Sequence, residues 1–77
     1  MLDRRLVEAM SRVLKLNPAC ITLETNQENT EAWDSLAHLN LILEIEATFG
    51  VRFSSEEIPQ LTSAARLQEA LIRHGAL

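Results

Sequence analysis

Asp34, Ser35 and His38 stand within one short stretch, with Leu36 beside the serine. A serine three residues ahead of a histidine shares a helical face with it, which is the minimal geometry for a hydroxyl nucleophile and its base. A working pair also needs a third group to orient the base and a separate pair of oxyanion donors. One exposed turn supplies neither, so the residues argue against an esterase-like centre, and no catalytic residue is assigned. A different chemistry fits better. A serine at the start of a helix lies beside unpaired backbone amides and the positive end of the helix dipole, where a phosphate ester is stabilised. The same position also suits a plain N-cap. Cys20, His38 and His74 are scattered and match no zinc-binding spacing, so no metal site is expected. Gly50 and Gly75, the two glycines, cannot build a phosphate-cradling loop for a nucleotide. Cys20 reads as a small loop or core residue, and His74 as a frayed helix-end residue.

The elements that must position Ser35 can be read from spacing. From Asp3 to about Leu16, the residues Leu6, Val7, Met10, Val13 and Leu14 recur on one helical face. Asp3 is placed to cap this helix and Asn17-Pro18 to end it. Residues 17–33 are rich in Asn and Thr and favour turns, with Ile21 and Leu23 as anchors to the core. A connection this long in a small domain points to a functional loop. In 35–49 the apolar residues Leu39, Leu41, Leu43 and Ile45 alternate in near-strand fashion. Length, Leu/Ala/Glu content, a cap at Asp34 or Ser35 and Gly50 at the far end decide for a helix ending near Phe49. Leu39, Leu41, Ile42, Ile45 and Phe49 are its expected core residues. Ser54-Ser55-Glu56-Glu57 starts a short helical piece that Pro59 curtails, and Thr62 or Ser63 opens a last helix with Ala64, Leu67 and Leu71 on one face, stopping near Gly75. The expected fold is an all-α, four-helix up-and-down bundle, with three main helices and one short third helix.

A chain of 77 residues makes one domain, 1–77, and buries only roughly 60% of its unfolded surface, which leaves no room for a deep, walled active site. The single cysteine excludes an internal disulfide. No amino-terminal stretch reads as a signal peptide, and Asn40, Glu44 and Glu46 interrupt the richest apolar segment, so a cytoplasmic monomer without a membrane span is expected. The net charge of −4 is unevenly spread. Residues 21–60 hold eight acids against one base, Arg52, whereas the flanks hold six bases against three acids. The acidic middle repels nucleic acid and suits either a solvated face or a docking surface for basic partners.

Trp33-Asp34-Ser35-Leu36, then an apolar helix to Phe49-Gly50-Val51, then Ser55-Glu56-Glu57-Ile58 and Leu61-Thr62, together resemble the acyl carrier protein family from about Trp33 to Leu71. The resemblance implies that a phosphopantetheinyl transferase attaches 4′-phosphopantetheine from coenzyme A to Ser35, with Asp34 assisting through a magnesium ion. The arm's thiol then carries an acyl group as a thioester, so the chain itself is not an enzyme. The resemblance further implies partner contacts at Leu36, Leu43, Glu46, Glu56 and Glu57, and His38 itself reads as a surface residue near the arm that tunes partner contacts. A cargo cleft is expected near Ile42, Ile58 and Leu61. The partners implied are the transferase, an acyl- or aminoacyl-loading ligase and a downstream acyltransferase or synthase. Ala37 and Asn40 stand where many fatty-acid carriers have acids, and Ala32 where they have glycine. These departures favour a stand-alone carrier in a dedicated or secondary-metabolic pathway. An aminoacyl or peptidyl carrier of a non-ribosomal-type pathway is the alternative, and a cofactor-free helical interaction module is a third reading.

Overall fold

Local capping sets where each helix begins. In the computed structural model, which describes residues 1–77, the Asp3 carboxylate accepts hydrogen bonds from the amides of Arg5 (2.9 Å) and Leu6 (3.3 Å), and helix α1 runs Arg4–Leu14. It stops short of Leu16 because Lys15 turns left-handed, at φ +57°. The Ser11 hydroxyl then donates to the Leu16 carbonyl at 2.6 Å and holds the departing chain against the helix.

The connection from 17 to 33 is ordered by its own side chains. Asn17 caps a 3-10 turn at Pro18–Cys20, and Asn26 and Asn29 bond each other's backbone amides through their side-chain carbonyls. The loop is also tied to the start of the last helix, since the Gln27 amide donates to the Thr62 carbonyl (2.9 Å) and the Ala64 amide to the Thr25 carbonyl (2.8 Å). Ile21 is buried as expected, but Leu23 is exposed. Trp33, at 1% exposure, provides the anchor that Leu23 does not.

Helix α2 spans Ser35–Phe49, with Asp34 as N-cap and Gly50 left-handed at φ +66° as its stop. Its apolar residues cover two sides, which explains the near-strand alternation in the sequence. Leu41, Ile42 and Ile45 face the core, while Leu36, Leu39 and Leu43 form an outward stripe exposed by 69%, 56% and 64%. Leu39 is thus not a core residue: 100° per residue carries it around to the side of Leu36 and Leu43. Phe49 is only half-buried, beneath the Arg5 guanidinium, 4.7 Å from the ring centre.

The short helix expected after Ser54 is not an α-helix. Ser54 and Glu57 cap each other reciprocally in a turn, and a single 3-10 turn follows at Ile58–Gln60. Pro59 has no amide to donate and cannot extend the ladder. The fold therefore has three α-helices and no strand, not four. The last, α3, runs Ala64–Arg73 from an N-cap at Ser63, whose hydroxyl accepts from the Arg66 amide at 3.1 Å. The core joins Leu6 and Met10 of α1, Leu41 and Ile45 of α2, and Leu67 and Leu71 of α3, with Trp33 and Leu61 from the connections. No helix is long and apolar enough to cross a membrane.

Candidate functional site

The junction between the long loop and α2 is held from inside by Trp33. Its indole N–H donates to Nδ1 of His38 at 3.0 Å, and the two rings lie nearly parallel. Indole nitrogen can only donate, so His38 Nδ1 accepts and its ring proton sits on Nε2. Nε2 in turn meets the Ile58 carbonyl at 2.8 Å, a bond in which the histidine donates. His38 is only 8% exposed, which corrects the expectation of a surface residue that contacts partners. It lies on the inward side of α2 with Leu41, Ile42 and Ile45, and one imidazole joins the segment before α2 to the turn before α3. Helical spacing alone gives no sign of this pairing, because Trp33 and His38 are five residues apart across a helix boundary.

Outside this anchor the chain turns outward. Asp34 Oδ1 accepts from the Ala37 amide at 2.8 Å, and the Asp34 carbonyl accepts from the His38 amide at 2.8 Å. Ser35 is the first residue of α2 and is exposed, as are Asp34 and Leu36. The amides of Ser35 and Leu36 have no acceptor within the helix, so a phosphodiester on the Ser35 hydroxyl meets free donors and the positive helix end. The junction therefore fits an anionic ester at that oxygen.

The other expected contact residues divide. Leu43 and Glu56 are exposed. Glu46 is half-buried and accepts from the Phe53 amide at 2.8 Å, which spends it on closing the turn after α2. Glu57 is engaged as well. The Ser54 backbone amide and then the His74 ring hold its carboxyl below the ordinary carboxylate range, with His74 Nε2 at 3.0 Å and Arg73 at 4.0 Å. His74 is thereby more than a frayed end; its ring also meets the edge of Phe53. The residues expected to line a cargo cleft are drawn into the core. Ile42 and Leu61 are 3% and 2% exposed within the core, and Ile58 packs half-buried against it. The largest surface concavity lies in the long loop, around Cys20, Glu24, Asn29 and Glu31.

Compared with known proteins, the chain matches the family model described as "phosphopantetheine attachment site" over residues 4–71, from the first residue of α1 to the last turn of α3. Among curated proteins a search finds no match. A match that spans all three helices and the exposed serine junction leaves little of the fold outside it, and the chain belongs to this phosphopantetheine-binding family, whose members carry 4′-phosphopantetheine covalently on a serine.

Proposed function

We propose that Ser35 is the serine that bears the arm, and that the chain carries acyl intermediates between enzymes without chemistry of its own. When bound, the group supplies a thiol that holds cargo as a thioester. One observation supports this reading above the others: Ser35 is exposed at the first position of α2, next to free amides, in a chain that the family model covers. Asp34 caps the helix through Oδ1 and leaves Oδ2 for the magnesium ion that the transfer uses. The residues of this chain hold the phosphate and present the junction, while nucleophile, base and oxyanion donors belong to the partners.

Those partners are a phosphopantetheinyl transferase, a loading ligase and a downstream acyltransferase or synthase, which meet the outward stripe of Leu36, Leu39 and Leu43 and the exposed acid Glu56. Ala37 and Asn40, where acids are common, favour a dedicated or secondary-metabolic pathway over bulk fatty-acid synthesis. Intact mass tests the assignment. With coenzyme A and a broad-specificity transferase the wild type should gain one phosphopantetheine and Ser35→Ala none. A wild type that gains nothing overturns the proposal, and a gain retained in Ser35→Ala moves the attachment to another serine.

A further inference from the structure

A seam runs where α2 meets the Ile58–Gln60 turn, one turn of helix beyond Ser35. Ser35, His38 and Ile42 lie in succession on one face of α2, exposed, buried and buried. Leu61, just after the turn, is buried as well, and the imidazole therefore ties α2 to that turn between exposed Ser35 and buried Ile42. Its two hydrogen bonds, 3.0 Å from the Trp33 indole and 2.8 Å to the Ile58 carbonyl, bind both sides of that seam together. The Ile58 carbonyl also accepts from the Leu61 amide at 3.2 Å, so parting the seam leaves Ile58 one partner but strips His38 Nε2–H of its acceptor. An alkyl chain offers nothing in return, and a buried donor without an acceptor is costly.

We infer that His38 is a specificity-determining gate that denies apolar cargo shelter between α2 and the 58–61 turn, so that the loaded thioester stays at the surface and the carrier suits short or polar acyl groups. The inference rests on the carrier reading of Ser35. It also gives the buried Trp33 a task beyond packing, since the indole holds the imidazole in the tautomer that donates to Ile58. Glutamine at position 38 can accept and donate in the same two directions, whereas leucine fills the space without either bond.

The test loads octanoyl-phosphopantetheine from octanoyl-coenzyme A onto the wild type, His38→Leu and His38→Gln, confirmed by intact mass. Two quantities are read: the rate of thioester cleavage by hydroxylamine, and the amide resonances of Ile42, Ile58 and Leu61 against the unacylated holo form. The wild type and His38→Gln should react as fast as octanoyl-coenzyme A, with the three resonances unmoved. His38→Leu should react about twofold more slowly, since the roughly tenfold that one buried hydrogen bond places on an opening equilibrium raises a shelter occupied about a tenth of the time to about one half, with the resonances displaced. A wild type that shields its octanoyl thioester overturns the gate, and so does a His38→Gln protein that behaves like His38→Leu. The wild-type arm decides even if a variant does not fold. Failure of the wild type to load at all, visible in the mass, overturns the carrier reading and the gate with it, whereas loading followed by shielding overturns the gate alone.

Discussion

Glu57 carries the most perturbed side chain of the molecule and gives it an acid-sensitive contact. The Ser54 amide and, after it, the His74 ring favour the ionised carboxylate, so its folded value lies below the unfolded one. A depressed carboxyl contributes stability that is fully present above the unfolded value and is lost as pH falls through the folded value. Thermal melts taken from neutral to acid pH should therefore show a steeper loss in the wild type than in Glu57→Gln; parallel curves would show that the contact adds nothing. Asp34 caps α2, and the proposed attachment at Ser35 gives it a second task in the transfer, which two substitutions separate. Asp34→Ala should cost about 1 kcal/mol by removing the cap, while Asp34→Asn keeps a capping oxygen and loses only the charge. Denaturant midpoints should fall for alanine alone, and the rate of phosphopantetheine transfer should fall for both.

At the scale of the element, α2 is set by its two ends. Asp34 opens it, and Gly50 closes it in a left-handed conformation that no side chain crowds, with open space where a Cβ would stand. Gly50→Ala therefore clashes with nothing and pays only backbone strain, about 1 kcal/mol, which a urea titration measures directly. The two faces of the helix should respond oppositely to polarity. Leu39→Gln, on the outward stripe, should leave stability within about 0.5 kcal/mol of the wild type, since a surface change away from special contacts rarely does more. Stability of the fold then does not account for leucine at that position.

The whole molecule is small, so each large buried side chain carries a substantial share of its stability. Leu41 is fully buried between the helices, and Leu41→Ala should cost about 2–5 kcal/mol, enough to unfold a measurable fraction of so small a domain. Circular dichroism under denaturant should separate this variant from Leu39→Gln by several times the experimental spread. The charge pattern also acts at this scale. Part of the acidic middle is spent within the fold, where Glu44 pairs with Arg12 at 2.8 Å and Glu57 with His74, so fewer acids face a partner than the sequence contains. The Arg12–Glu44 pair is exposed and joins α1 to α2 without adding much stability, since such pairs give at most about 1 kcal/mol.

By itself the sequence determined where the three α-helices start and where α2 stops, which side of α1 and α3 is buried, and that Ser35 lies at the opening of α2. Each of these depends on a few adjacent residues: a carboxylate or hydroxyl that reaches its own next turn, a glycine that accepts a left-handed angle, an apolar period of one helix. The resemblance to acyl carriers was legible for the same reason, because the residues from Trp33 to Leu36 and their spacing to Phe49 and Glu57 are local. Tertiary structure decided the rest. Whether His38 faces water or the core, whether Leu39 packs, and which groups Glu46 and Glu57 accept from depend on what lies opposite them. Those opposite groups, Trp33 and Ile58 for His38, Phe53 for Glu46, His74 for Glu57, come from other segments that no helical period reports. Pro59 was visible in the chain, yet only the folded backbone showed that the piece around it is a pair of turns, because a missing amide limits a helix without saying what replaces it.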